Sequence, residues 1–130
     1  MTLKIAVTSV LVDDQEKAKR FYTDILGFQL KHDIPMGGPR WLTVVSPDAP
    51  DGVEVLLEPM GMDFAVTFQK KLFDAGVPLT SFGADDIQAE YERLKSLGVE
   101  FRSPPTDAGT ATVATFDDTC GNLIMIVQTK

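Results

Sequence analysis

Val12-Asp13-Asp14-Gln15-Glu16-Lys17-Ala18-Lys19-Arg20-Phe21-Tyr22-Thr23-Asp24-Ile25-Leu26-Gly27-Phe28 decides the fold of this chain, because the pattern recurs as Ala84-Asp85-Asp86-Ile87-Gln88-Ala89-Glu90-Tyr91-Glu92-Arg93-Leu94-Lys95-Ser96-Leu97-Gly98-Val99. Each copy has an Asp-Asp pair, an amphipathic helical stretch, Leu-Gly, and then a strand-like segment. Ala18, Phe21, Tyr22 and Ile25 follow the spacing that makes one apolar stripe on a helix, and Ile87, Tyr91 and Leu94 do the same in the second copy. Asp13 or Asp14 supplies the N-cap. Asp13 with Glu16 has the spacing of a capping box, as does Asp85 with Gln88. Gly27 and Gly98 are the expected stops, since glycine takes a positive φ just past the last helical turn at no steric cost.

Outward from the first copy, residues 3–12 are apolar with small hydroxyls and read as a buried strand. Two-residue alternation places Ile5, Val7, Ser9 and Leu11 on one face and Ala6, Thr8, Val10 and Val12 on the other. Residues 28–33, 41–45 and 53–58 follow as strands, separated by a loop at 36–39 and a turn at 46–52. A linker contains Phe64, Phe68, Leu72 and Ala75 at helical spacing, which predicts a short helix stopping at Gly76. The second half repeats the plan, with strands at 79–84, 99–102, 110–116 and 123–128, a loop at 103–109 and a turn at 117–122. The expected architecture is α+β: two βαβββ modules forming a cupped eight-stranded mixed sheet with helices on the convex face. Residues 1–58 make the first module, 59–76 the linker and 77–130 the second module, all within one domain. Neither half is large enough to bury both faces of its own sheet. A ferredoxin-like sandwich has the wrong number of strands per helix.

Composition narrows the partners. The chain has 130 residues and a net charge of −7, from 12 basic and 19 acidic side chains. An acidic surface repels phosphate backbones, which argues against nucleic acid. No apolar run approaches the roughly 18 residues of a membrane helix. Met1-Thr2-Leu3-Lys4 leads straight into a strand-like stretch, so a cytoplasmic protein without a secretion signal is expected. The single Cys120 has no intramolecular disulfide partner, which suits a reducing compartment.

The ordered set Val12-Asp13-Asp14, Phe21-Tyr22, Leu26-Gly27-Phe28, Ala84-Asp85-Asp86, Tyr91 with Leu94, Leu97-Gly98-Val99, and Phe116-Asp117-Asp118 with Gly121-Asn122 resembles the vicinal oxygen chelate superfamily, also called the glyoxalase/bleomycin-resistance/dioxygenase superfamily. The similarity covers nearly the whole chain. It implies the paired-module fold, a small-molecule ligand and homodimers, since relatives commonly pair and sheet edges need covering. It leaves the chemistry open, because the superfamily hosts many unrelated reactions. In metal-using members, His or Glu from the first and last strands of each half grips a divalent ion. Carried over position by position, those four places fall on Val7, Leu56, Leu79 and Met125. None is a usual ligand for a divalent ion. Glu54 lies one strand period from Leu56, so the register at that place matters. With His32 the only histidine, no multi-histidine site is available, and the expectation is a protein without metal or other cofactor.

The same four side chains suit the apolar floor of a ligand site. Ser9 and Ser81 occupy matching places in the two halves and are candidate hydrogen-bond donors, or simply small residues that leave room. Trp41 is a candidate for stacking on a flat ligand, against a role in the core or an interface; Phe68 fits the latter role better. Glu54 and Glu58 share a face with Leu56 and are candidate general bases, because desolvation can raise a carboxyl pKa. The competing reading leaves them solvated near strand ends. His32 reads as a solvated edge residue. Cys120, beside two aspartates, is a poor nucleophile. Asp117, Asp118, Gly121 and Asn122 read as a structural turn. Three functions are compatible with these residues: a binding protein for a small apolar or aromatic molecule, a metal-independent lyase or isomerase using Glu54 or Glu58, and an interaction module with no small ligand.

Overall fold

The computed structural model describes residues 2–130; Met1 lies outside the described residues. Among them the chain forms eight strands and three α-helices of an α+β fold. It divides into two compact units, one ending at Asp63 and one running from Phe64 to Lys130. The first contains β1 (Val7–Val12), α1 (Gln15–Arg20), β2 (Gln29–Pro35), β3 (Arg40–Val45) and β4 (Glu54–Pro59). The second contains α2 (Asp63–Asp74, from its second residue on), β5 (Thr80–Gly83), α3 (Ile87–Ser96), β6 (Phe101–Asp107), β7 (Ala111–Asp117) and β8 (Leu123–Thr129).

Each unit holds a four-stranded mixed sheet, in the orders β1-β4-β3-β2 and β5-β8-β7-β6. In both, the first and last strands run parallel and the other neighbours antiparallel. The first strand is shorter than the apolar run suggests. Residues 3–6 are exposed and outside the strand, because the partner β4 begins only at Glu54, whose N–H reaches Ala6 O. In the other direction, β6 extends to Asp107 through Pro104 and Pro105, where a loop is expected from the prolines. It is an edge strand with two register shifts, so the missing N–H groups cost no ladder partner.

Caps and stops follow local chemistry, with one correction. Asp14, not Asp13, caps α1, its Oδ1 accepting Lys17 N–H at 3.1 Å; Asp86 caps α3, accepting Ala89 N–H at 3.0 Å. Neither capping box forms: Glu16 turns to Arg20 and Arg40, and Gln88 donates to Glu92. Gly27 and Gly98 end the helical stretches at φ +88 and +89. The two copies differ in length between cap and stop: Asp14 and Gly27 are 13 positions apart, Asp86 and Gly98 are 12. The first copy absorbs the extra residue in a π-helical turn, Phe21–Ile25, where Leu26 N–H reaches back five residues to Phe21 O at 3.0 Å. The turn keeps Phe21 and Tyr22 buried despite the insertion.

Each sheet buries one face under its helix. In the first unit Val10, Val12, Leu42, Val44 and Leu57 join Ala18 and Tyr22 in the core. Gln15 ties α1 to two strands, donating to Arg40 O and Leu57 O at 2.8 and 2.9 Å while accepting from Arg40 N–H. On the same side Asp33 accepts from Lys19 and from both Nε and Nη2 of Arg40, at 2.9–3.0 Å. These two cations hold its carboxyl well below the usual carboxylate range. In the second unit Ala114, Phe116, Ile124 and Ile126 join Ile87 and Leu94.

Helix α2 reverses the expected burial. Phe64 and Phe68 are 74% and 53% exposed, while Gln69 is 6% exposed. The helix docks through that glutamine, whose Nε2 donates to Cys120 O and Asn122 Oδ1 at 3.1 and 3.0 Å. Buried Asp118 organises the receiving turn, accepting from Cys120 N–H, Asn122 N–H and Asn122 Nδ2 at 2.8–3.0 Å. Gly121 makes the close approach possible: it sits at φ +98, and a Cβ there would lie 2.6 Å from Gln69 Oε1. Gly121→Ala should therefore cost about 2–4 kcal/mol in urea unfolding, from backbone strain and disturbed buried hydrogen bonds. Because the clash is with Gln69, the double change Gly121→Ala/Gln69→Ala should cost clearly less than the sum of the single changes. Strict additivity would mean that the two residues are not coupled.

Candidate functional site

The sheet faces turned away from α1 and α3 are where sequence and structure place the candidate residues. In the first unit, Val7 pairs with Glu54 and Ser9 with Leu56 across β1 and β4, and Thr43 of β3 pairs with Leu56 from the other side. His32 of β2 pairs in turn with Thr43, and Ile34 with Trp41. Paired residues project to the same side of a sheet, and so do residues two apart. Val7, Ser9, Trp41, Glu54, Leu56 and Glu58 therefore share one face. The register question at Glu54 and Leu56 resolves simply: both are on that face, one pleat apart.

The second unit repeats the row. Ser81 pairs with Met125, Thr115 pairs with Met125, and Ser103 pairs with Thr115. Leu79 precedes β5 and donates its N–H to Leu123 O at 2.9 Å, which continues the same register. Leu56 thus corresponds to Met125, Ser9 to Ser81 and Thr43 to Thr115. Val7 and Ser9 are exposed and Leu56 and Trp41 half-buried; Leu79 and Met125 are half-buried and Ser81 is exposed.

The polar groups of the first face are connected. Thr43 is fully buried, and its hydroxyl donates to Glu54 Oε1 at 2.8 Å. His32 Nε2 lies 3.8 Å from the same oxygen. Ser9 Oγ donates to Glu58 Oε1 at 3.4 Å, a long contact. His32 is thus a neighbour of Glu54 rather than an isolated edge residue, and its side chain is 42% exposed. Sequence reasoning passed over Thr43. Its signal was available: two-residue alternation from Trp41 puts it on the same face, and the repeat aligns it with Thr115.

Chemically the arrangement offers apolar surface from Val7, Leu56 and Trp41 beside two carboxylates. In neither unit do the residues at the places where metal-using relatives carry ligands fit a divalent ion: Val7 and Leu56 in the first, and Leu79 and Met125 in the second, offer only hydrocarbon and a thioether, which cannot replace water in its shell. No group of three or more His, Cys, Asp or Glu among the described residues is placed to hold a metal ion. Cys120 is buried beneath α2 in the Asp118 turn, where its backbone carbonyl serves structure.

Comparison with known proteins agrees with this architecture. An uncharacterized protein of Bacillus subtilis (strain 168), YurT, is 57% identical over 126 residues, covering 97% of this chain and 99% of its own. A second from that strain, YetH, is 33% identical over 98% of this chain and 100% of its own. Among solved structures, UcmS2 has a TM-score of 0.83 at 30% identity, covering 98% of both chains. TnmS3, described as an antibiotic binding protein from Streptomyces sp. CB03234, has a TM-score of 0.77 at 29% identity, over 99% of this chain and 98% of its own. Residues 4–126 match the profile of one superfamily, and with that profile spanning nearly the whole duplicated fold, the chain belongs to the Glyoxalase/Bleomycin resistance protein/Dioxygenase superfamily.

Proposed function

We propose that this protein binds a small apolar or aromatic molecule against the sheet face carrying Val7, Trp41 and Leu56, without a metal ion. The observation that carries the reading is the replacement of ion-gripping donors by hydrocarbon and thioether at Val7, Leu56, Leu79 and Met125. Those groups favour apolar contact over coordination. The likeness to TnmS3, itself an antibiotic binding protein, supports a binding role. Trp41 is the only tryptophan, so its emission reports directly on occupancy of this face. Acridone, a flat neutral aromatic, should quench that emission saturably, and Leu56→Asp should weaken its binding at least about tenfold with the circular dichroism unchanged. The protein isolated from cells should hold far less than one equivalent of Zn, Ni, Fe or Mn. Absence of saturable binding, or a stoichiometric metal, would overturn the reading.

The contact of Thr43 with Glu54, with His32 close by, favours a second reading as a metal-independent lyase or isomerase. Here Glu54 is the general base, with Glu58 the alternative. A hydroxyl donating to one carboxylate oxygen fixes the orientation of the other, which is what proton abstraction requires. In a screen of small carbonyl compounds, any turnover found should fall at least about a hundredfold in Glu54→Gln or Glu58→Gln. Full activity in both variants would rule out this chemistry.

The protein is further proposed to be a cytoplasmic homodimer with no nucleic-acid or membrane partner. The acidic net charge supports the first exclusion, and no helix of the described residues is long and apolar enough to cross a membrane. Pairing is supported by the outward-facing Leu3, Ile5, Phe64 and Phe68, which leave apolar surface in water. Sedimentation at micromolar concentration should give twice the chain mass; a monomer throughout that range would refute pairing.

A further inference from the structure

We infer that the molecule bound on the first sheet is an organic cation: a flat apolar frame bearing an amine or a guanidinium group. The inference rests on the binding reading above and adds the charge of the ligand. It comes from how charge is sorted between the two faces of one sheet. On the helix side the lysines and arginines of α1 and β3 are matched, Arg20 among them through Glu16. Arg40 pairs with Glu16 and Asp33, Lys19 with Asp33, and Lys17 with Asp13. The opposite face carries Glu54 and Glu58, and two-residue alternation brings no lysine or arginine of β1, β3 or β4 to that side. In β2, Lys31 sits at a register shift and its ammonium is taken up by Pro50 O and Asp51 Oδ1, at 3.0 and 3.3 Å.

Among the described residues, no lysine or arginine forms an ion pair with either glutamate. Glu54 meets the Thr43 hydroxyl and, at 3.8 Å, His32; Glu58 meets the Ser9 hydroxyl at 3.4 Å. Hydroxyl donors orient a carboxylate but do not neutralise it. Half-buried carboxylates beside Leu56 and Val7 have part of their hydration displaced by hydrocarbon, so an arriving positive group gains more there than at an open surface. Trp41 adds a second, independent attraction, because an indole face is the best of the aromatic partners for a cation. An anionic ligand of the same shape would meet two negative groups that no lysine or arginine among the described residues pairs with. Apolar contact thus supplies the general affinity, and Glu54 and Glu58 supply the discrimination.

Three flat probes of similar size separate the terms by calorimetry on the full chain: 9-aminoacridine as cation, acridone as neutral molecule and anthracene-9-carboxylate as anion. The cation should bind at least about tenfold more tightly than acridone, and the anion more weakly than either. In Glu54→Gln/Glu58→Gln the cation's advantage should shrink to within about twofold, with acridone affinity little changed. Should the double variant lose its fold, Glu58→Gln alone carries the test and should lower the advantage at least about threefold. An advantage that survives these replacements would belong to the general acidity of the protein and would overturn the inference. So would equal binding of acridone and 9-aminoacridine. If none of the three binds, the binding reading fails with it, whereas acridone binding without cation preference leaves that reading standing and removes only the present one.

Discussion

Parallel pairing of the first and last strand of each unit is the constraint from which the site follows. It places Val7 beside Glu54 and Ser9 beside Leu56 in one unit, and Ser81 beside Met125 in the other. A strand has only two faces, and the helix takes one. Once Val10, Val12 and Leu57 are committed to the core under α1, their neighbours must assemble together on the opposite side. No residue of the candidate site needs a special backbone conformation to get there. A slip of β4 by one residue in that pairing would bury Glu54 and Glu58 under the helix and turn Leu57 outward, which gives the register its strong specification.

The two units have kept the same frame and diverged in what they display. The central row reads Ser9, Leu56, Thr43 in one sheet and Ser81, Met125, Thr115 in the other. One pleat to either side, the first sheet carries Glu54 and Glu58 where the second carries Leu123 and Val127, and His32 corresponds to Ser103. Of the two matching strands β4 and β8, only β4 therefore carries ionisable side chains on this face. The helices diverged too. Gln15 follows its cap and stitches α1 to β3 and β4, while the matching residue Ile87 is apolar and donates its backbone N–H to Gln128 Oε1, an acceptor supplied by β8, at 2.7 Å. The same need, joining the first helical turn to the sheet, is met once from the helix and once from the strand.

Polar residues hold these units together at the points where a purely apolar reading looks elsewhere. Gln15, Gln69, Asp118 and Asn122 are all buried, and no buried side-chain nitrogen or oxygen among the described residues lacks a partner. Satisfied in this way, such groups specify one arrangement more sharply than apolar contact can, because an alternative docking would leave them unpaired. That is why α2 settles on Gln69 and leaves Phe64 and Phe68 outside. Buried hydrogen bonds fix where the helix sits, and helical spacing of aromatics alone does not say which side faces in.

Local chemistry made the duplication, the stop glycines, the eight strands and their alternating faces readable from the residues alone. Each depends on contacts within a few positions: an aspartate over the first turn, a glycine at positive φ, a period of two. The apolar identity of Val7, Leu56, Leu79 and Met125 was equally plain, since it needs no coordinates. Tertiary structure alone decided which aspartate caps, how the first helix accommodates its extra residue, and that β6 runs on through two prolines. It also decided that Thr43 and His32 meet Glu54. The course of β6 and the meeting at Glu54 depend on partners distant along the chain, whose positions are set only when the strands pair. Alternation could assign Glu54 and Thr43 to a face, but only the register of β3 against β4 brought the hydroxyl of one to the carboxylate of the other.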